Sequence, residues 1–127
     1  MSSELFDKGL SIRKKVVGEE YVKRSLDKMD VFNEDFQTLV TEYCWGSVWG
    51  RPGLDHKTRS MLNIAMIAAL NRPHELNLHV QGALRNGVTQ DEIREILMQV
   101  TIYAGVPAGV DSFRIAREAI DTFEKEN

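Results

Sequence analysis

Apolar residues recur at the three- and four-residue spacing of an α-helix along almost the whole chain. Leu5, Ile12 and Val16 form one such stripe near the start, and Ile93, Leu97 and Val100 belong to another further on. No segment alternates apolar and polar residues in the way that a half-buried strand requires. We therefore predict an all-α fold, a compact bundle of six to seven helices in a single domain over residues 1–127.

Local sequence features delimit the first three predicted helices. Ser2 or Ser3 can cap the first helix, and Gly18 ends it. A second, short helix covers residues 19–29. Asn33 can cap a third helix, which is followed by a stretch rich in helix-breaking residues.

That breaker-rich stretch, residues 46–53, separates the third helix from a fourth, which Asp55 caps. Residues 61–70 of the fourth helix are apolar nearly all round and include a single polar residue, Asn63. A helix of this kind lies in the centre of a protein or in a subunit interface. We expect one of these two positions for it.

Three further helices complete the predicted fold. Pro73 suits the first position of the fifth helix, which Gly87 ends. Thr89 and Glu92 form a capping box for the sixth helix, which Gly105 breaks. The last helix is predicted to bury one stripe of side chains: Val110, Phe113, Ala116 or the stem of Arg117, Ile120 and Phe123.

Composition excludes several classes of function. The net charge of −3, with no basic cluster, argues against binding to nucleic acid. The longest apolar stretch is too short to span a bilayer, and we expect no signal peptide, so a cytoplasmic location is predicted. A single cysteine, Cys44, excludes an intramolecular disulfide and a cysteine-based metal cluster. We interpret Cys44 as a small buried apolar residue.

Glu75 and His79 are the first candidates for chemistry. They lie four residues apart at the start of the fifth helix, so a carboxylate and an imidazole share one helical face and can move a proton. The simpler interpretation is a surface ion pair that stabilises the helix. Zinc binding is disfavoured because no third ligand is evident. The other two histidines, His56 and His74, lie in predicted turns. We predict no metal.

Arg51 and Arg59 flank the turn before the fourth helix. In one interpretation Arg59 pairs with Asp55, one helical turn away, and Arg51 is solvated. In the other, the two guanidinium groups hold an anionic substrate, since guanidinium binds carboxylate through two hydrogen bonds. The pattern alone leaves both open.

Aromatic residues provide two further candidates. Trp45 and Trp49 are four residues apart and are most simply a buried aromatic face; alternatively they form a pocket wall, with Glu42 directed into the pocket. Tyr103, just before Gly105, is interpreted in the same order, as a core residue first and a phenol donor second.

A series of short segments between about residue 36 and about residue 119 resembles the carboxymuconolactone decarboxylase family in order and spacing. The resemblance is carried by the series as a whole. The segments are Glu42–Gly46, Trp49–Asp55, Thr58–Ser60, Glu75–Leu76 with His79–Val80, Asn86–Thr89, Glu92–Ile93, and Gln99 with Tyr103–Ala108.

The resemblance implies an all-helical subunit in a ring-shaped homo-oligomer, often a hexamer built from three dimers. It implies cofactor-free decarboxylation of 4-carboxymuconolactone, a small anionic lactone, to 3-oxoadipate enol-lactone in the protocatechuate branch of aromatic catabolism. On this basis the predicted catalytic residues are His79, Glu75 and Arg59, and the predicted substrate-binding residues are Arg51, Glu42, Trp45, Trp49 and Tyr103. Alternative interpretations are a family member that acts on another small carboxylated or lactone substrate, and a non-catalytic oligomeric binding protein.

The wider superfamily includes alkylhydroperoxidase-like proteins, in which a CxxC motif precedes a histidine. Placing that histidine on His79 puts Arg72 and Glu75 at the two cysteine positions. The chain therefore lacks the thiol pair, and peroxide reduction by that route is not expected.

Two short stretches depart from the family pattern. Residues 109–111 read Gly-Val-Asp, where the family continues Ala-Asn after the Pro-Ala pair. Asn71, Pro73 and His74 stand before Glu75, where the family tends to have glycine and acidic residues. Both departures lie close to the predicted pocket, so they bear on the substrate more than on the fold.

Overall fold

The computed structural model describes residues 3–127, which form seven α-helices and one π-helix and contain no strand. This confirms the predicted all-α fold. The helices are α1 (Glu4–Val17), α2 (Glu19–Asp27), α3 (Glu34–Leu39), the π-helix (Val40–Val48), α4 (His56–Leu70), α5 (Pro73–Arg85), α6 (Gln90–Ala104) and α7 (Val106–Glu126). Their contacts define a first unit, which ends at Asp55, and a second unit, which begins at His56.

In the first unit, α1 packs directly against the π-helix. An added Cβ at Gly9 would overlap the carbonyl oxygen of Thr41 and lie 2.9 Å from the amide nitrogen of Gly46. A Cβ at Gly46 would lie 2.8 Å from the carbonyl oxygen of Leu5. Glycine at both positions allows this close approach, and the predicted break at residues 46–53 is therefore wrong at its start, because Gly46 lies inside a helix that continues to Val48.

Arg13 joins three helices within the first unit. Its side chain is buried, at 6% exposure. Its Nη1 donates to Gln37 Oε1 of α3 at 2.9 Å and to Thr41 Oγ1 of the π-helix at 3.2 Å. Burial lowers the pKa of Arg13 below its ordinary value. Hydrogen bonds from a guanidinium offset part of the cost of removing that charge from water.

Both boundaries of α1 follow the predicted features. Ser3 caps α1, since its Oγ accepts a hydrogen bond from the Phe6 amide at 3.0 Å; the alternative cap, Ser2, lies outside the described residues. Gly18 ends α1 with φ of 95°, a left-handed conformation that glycine adopts readily.

Two expectations for the segment after α2 are wrong. The helix ends at Asp27, two residues before the predicted end, because Asp30 organises a turn in which its carboxylate accepts from the amides of Phe32 and Asn33. Asn33 does not cap α3 with its side chain, since its Oδ1 instead accepts from the Asp30 amide at 2.9 Å.

The second unit has a continuous apolar core to which all four of its helices contribute. Pro73 is the first residue of α5, as predicted. The capping box of α6 is complete: Thr89 Oγ1 accepts from the Glu92 amide at 3.0 Å, and Glu92 Oε1 accepts from the Thr89 amide at 2.9 Å. The fully or largely buried core residues are Ile64, Ala68, Leu76, Val80, Ala83, Val88, Ile93, Leu97, Val100, Ile115, Ala116, Ala119 and Ile120.

The buried face of α7 differs from the predicted stripe. Val110 and Phe113 are 63% and 40% exposed, and Phe123 is half-buried, whereas Ala116 and Ile120 are buried as predicted. The helix packs instead through a row that is mostly of small residues, which allows a close approach to its neighbours and leaves the bulky residues at the edge. This row is Ala108, Gly109, Ser112, Ile115, Ala116, Ala119 and Ile120.

Gly109 and Thr101 form a close contact between α7 and α6. An added Cβ at Gly109 would overlap the hydroxyl oxygen of Thr101 and lie 2.8 Å from its Cβ. The Thr101 hydroxyl donates to the carbonyl oxygen of Leu97 at 2.7 Å, which holds the side chain in this position.

The apolar helix α4 is only partly covered. Ile64 and Ala68 belong to the core, while Leu62, Met66 and Leu70 are exposed. None of the helices in residues 3–127 is long and apolar enough to cross a membrane. The predicted cytoplasmic location and the single domain over residues 1–127 stay predictions.

Candidate active site

His79 lies on the inner side of α5, one helical turn after Glu75. The imidazole is only 9% exposed, whereas the Glu75 side chain is exposed. Burial lowers the pKa of His79 to about 4, and the negative charge of Glu75 opposes this shift. The His79 ring is therefore neutral near pH 7, and the pair is not a simple surface ion pair.

Asn63 of α4 is a polar partner of His79. Its Nδ2 lies 3.3 Å from Nδ1 of the imidazole. Asn63 is absent from the predicted site, although the sequence contains a clue: a single polar residue in an apolar run that packs into a core requires a hydrogen-bond partner there. The structure thus adds a candidate site residue that the Glu75–His79 spacing could not reveal.

A second polar contact joins the same two helices. Nδ2 of Asn86, which directly follows α5, donates to Oγ of Ser60 at 3.0 Å, and Ser60 is fully buried. Ser60 and Asn63 are three residues apart on α4, so they lie on neighbouring turns of one face. A polar seam therefore runs between α4 and α5 through an otherwise apolar core.

An apolar groove of about 590 Å³ lies between α4 and α6. Met61, Leu62 and Met66 line it from α4, and Gln99 and Tyr103 line it from α6. The prediction that Tyr103 is first a core residue is wrong, because its side chain is 86% exposed. Tyr103 stands near the end of α6, at the groove, with its phenol accessible to a ligand.

The other predicted site residue of the second unit is Arg59. It lies in the first turns of α4 and is half-buried. Arg51 belongs to the first unit and is exposed. The proposed clamp formed by these two arginines stays a prediction.

The two tryptophans lie together in the first unit. Trp45 and Trp49 are buried, and their ring centroids are 5.0 Å apart at an interplanar angle of 36°. This confirms the buried aromatic face. Glu42, half-buried on the same π-helix, accepts a short hydrogen bond from Oγ of Ser3.

Cys44 is exposed, so its interpretation as a buried residue is wrong. In a π-helix each turn contains more residues than in an α-helix. Trp45 and Gly46, which are buried, accordingly follow the buried Thr41 by four and five positions, and Cys44 falls on the outer side. Within residues 3–127, no group of three histidine, cysteine, aspartate or glutamate side chains could hold a metal ion.

Comparison with known proteins assigns this arrangement to a family. The model of the carboxymuconolactone decarboxylase family matches residues 34–118. The chain is 42% identical over 113 residues to 4-carboxymuconolactone decarboxylase of Acinetobacter baylyi, an alignment that covers 89% of this chain and 84% of the relative. It is also 42% identical over 117 residues to nitrosuccinic acid decarboxylase of Metarhizium robertsii, covering 92% and 82%.

The chain belongs to the carboxymuconolactone decarboxylase family, which confirms the resemblance seen in its sequence segments. It is an enzyme rather than a non-catalytic binding protein, namely a decarboxylase of the carboxy-lyase class.

Proposed function

We propose that the enzyme decarboxylates 4-carboxymuconolactone to 3-oxoadipate enol-lactone without a cofactor, as a step of protocatechuate catabolism. The observation that carries this proposal is the 42% identity, over 89% of the chain, to an enzyme named for that reaction. The buried His79 beside Glu75 supports it, because a buried titratable group next to a carboxylate is typical of a site that handles protons.

The substrate contains the electron acceptor that the reaction needs. Its leaving carboxylate is on a ring carbon that is conjugated, through a double bond, to the lactone carbonyl. When carbon dioxide leaves, the electron pair of the broken bond moves into this system and forms a dienolate. A proton then adds at carbon and gives the enol-lactone, so one carbon dioxide is released for each proton taken up. The protein has to bind the anionic groups, stabilise the oxyanion and provide the proton.

His79 suits the second of these tasks. A neutral imidazole still has one N–H group, which can donate a hydrogen bond to the oxygen on which negative charge develops. As that charge grows, the ring becomes easier to protonate, so His79, or Glu75 beside it, can supply the proton that adds at carbon. Arg59 is the proposed partner of a substrate carboxylate, through the charged hydrogen bonds that guanidinium forms.

The predicted substrate-binding residues remain part of this proposal. Arg51, Glu42, Trp45 and Trp49 lie in the first unit, and Tyr103 lies in the second. Buried tryptophans provide apolar surface, which favours the less solvated transition state of a decarboxylation. Single substitutions at these positions, measured against each candidate substrate, test their roles one by one.

Nitrosuccinic acid is the second candidate substrate, because the relative named for its decarboxylation is equally similar to this chain. The two reactions place the same demands on a protein. Loss of the carboxylate next to the nitro-bearing carbon leaves an electron pair that moves into the nitro group, and a proton then adds at carbon. Either substrate is a small dianion whose own acceptor group removes the need for a cofactor.

The test is to supply each substrate to the purified enzyme and to follow carbon dioxide release. We expect turnover of the lactone, prepared in place because it is unstable, with formation of the enol-lactone in the ultraviolet spectrum. His79→Gln should reduce turnover by about 10²–10⁴-fold. His74→Gln, an exposed histidine on the same helix, is the matched control and should reduce turnover far less than His79→Gln does. Turnover of nitrosuccinate alone would replace the first proposal with the second.

We further propose that the enzyme assembles into a homo-oligomer, as a hexamer built from three dimers. Leu62, Met66 and Leu70 leave an exposed apolar row along α4, beside the apolar groove. Exposed apolar surface of this kind marks interaction sites more often than free surface.

A further inference from the structure

We propose that Asn63 is a positioning residue that fixes His79 in the tautomer with its proton on Nε2. The consequence for catalysis rests on the proposed function, whereas the tautomer itself does not. The proposal concerns the one polar residue of the apolar run 61–70 and assigns it a purpose beyond packing.

The direction of the Asn63–His79 hydrogen bond determines the tautomer. The atom of Asn63 that lies 3.3 Å from the ring is Nδ2, which has two hydrogens and no lone pair to offer. Nδ1 of His79 must therefore accept, which requires that it has no proton. In a neutral imidazole the remaining proton is then on Nε2, at the far side of the ring from Asn63.

The surroundings of His79 favour the neutral ring that this contact requires. A doubly protonated imidazole could not accept from Asn63, since both of its nitrogens would be donors. Burial lowers the pKa of His79 to about 4, and the charge of Glu75 only partly opposes this. Asn63 thus selects the tautomer of His79, and burial keeps the ring uncharged.

A fixed tautomer matters because the two nitrogens have different tasks. With Nδ1 engaged by Asn63, the ring presents a donor, not an acceptor, on its Nε2 side. A donor can stabilise a developing oxyanion, whereas an unprotonated Nε2 would repel it. The alternative is that Asn63 only satisfies a polar seam, as Asn86 does through Ser60.

The experiment is nuclear magnetic resonance of the full-length protein with ¹⁵N-labelled histidine, using the two-bond couplings that distinguish the two ring nitrogens. The chain has three histidines, so the spectrum of His79→Gln identifies the signals of His79. We expect a protonated Nε2 and an unprotonated Nδ1 near neutral pH in the native protein. A protonated Nδ1, or a doubly protonated ring, overturns the proposal without the need for any variant.

Two substitutions and a control separate positioning from packing. Asn63→Asp replaces a donor with an acceptor, so the proton should move to Nδ1 and the pKa of His79 should rise. Asn63→Leu should leave a mixture of tautomers. In both variants we expect kcat to fall by about tenfold or more while KM changes little, since proton handling rather than binding is disturbed. Asn86→Ala removes the other polar contact and should leave the tautomer and kcat unchanged.

The outcomes distinguish this inference from the proposed function. If the tautomer is as expected but His79→Gln retains full turnover, the proposed role of His79 falls and the tautomer assignment stands. If Asn63→Asp leaves the proton on Nε2, or if Asn86→Ala shifts it as strongly as the Asn63 variants do, Asn63 does not position His79 and the inference is wrong.

Discussion

Gly9 of α1 lies so close to the carbonyl oxygen of Thr41 that the two backbones touch without a side chain between them. The contact holds α1 against the π-helix that also carries Glu42, Trp45 and Trp49. The geometry of the predicted aromatic wall therefore depends on Gly9, which has no side chain to take part in a reaction.

Gly9→Ala is expected to destabilise the protein, because the new methyl group would overlap backbone atoms that cannot rotate away. Forcing extra volume into a packed contact costs about 1–3 kcal/mol. Urea unfolding should show a lower midpoint at an unchanged slope. Gly53→Ala is the matched control, since nothing lies within 4 Å of a Cβ at that position, and its midpoint should match that of the native protein.

The burial of His79 predicts a pH dependence of stability. Its pKa is about 4 in the folded protein, below the ordinary value of 6.5, so between these values the unfolded chain binds a proton that the folded chain does not. The free energy of unfolding therefore has its full value above about pH 6.5. It falls by about 3 kcal/mol as the pH falls toward 4. Unfolding free energies measured across this range should show the loss.

His79→Gln tests the origin of that pH dependence. The variant should lose the part of the slope due to His79, whereas His74→Gln should retain it, because His74 is exposed. An equal slope in His79→Gln and in the native protein would contradict a depressed pKa at His79.

The capping box of α6 predicts a measurable cost for Thr89→Ala. The substitution removes the hydroxyl that accepts from the Glu92 amide and leaves that amide without its cap. Loss of such a cap costs about 1 kcal/mol. Thr122→Ala, on exposed surface of α7, removes a threonine hydroxyl that caps nothing and should change stability by less than about 0.5 kcal/mol. Calorimetry on the three proteins compares the two effects directly.

The exposed row on α4 predicts that one charge there prevents assembly. Met66 is 54% exposed, so Met66→Glu should fold normally and yet place an uncompensated charge inside any interface formed by this row. Light scattering should show a smaller particle than for the native protein. Ser11→Glu adds the same charge on exposed surface of α1 and should leave the mass unchanged. A native protein that is already monomeric would refute the proposed oligomer.

Local chemistry made much of the fold predictable. The capping box at Thr89 and Glu92, the glycine after α1 and the proline at the start of α5 each act within a few residues, so sequence reasoning places them correctly. The π-helix was not predictable in this way. A glycine read alone suggests a break, whereas in the folded chain Gly46 lies inside this helix and packs against Leu5 of α1.

In the candidate site, too, features local to one helix were predictable and contacts between helices were not. Spacing along one helix brought Glu75 and His79 together, but it could not show that His79 is buried or that Asn63, sixteen positions earlier, contacts its ring. For Tyr103 the pattern favoured the core, whereas the packing of α6 leaves this residue on the surface. Partners that depend on how two helices cross become visible only in three dimensions.

Thr101 of α6 and Gly109 of α7 fill the same limited space between the two helices. A larger residue at position 109 is compatible with the fold only if position 101 becomes smaller, since α6 and α7 have no room for both. The family pattern continues with alanine where this chain has Gly109. Relatives with that alanine are expected to carry a smaller residue at the position of Thr101, so the two sites should change together in evolution.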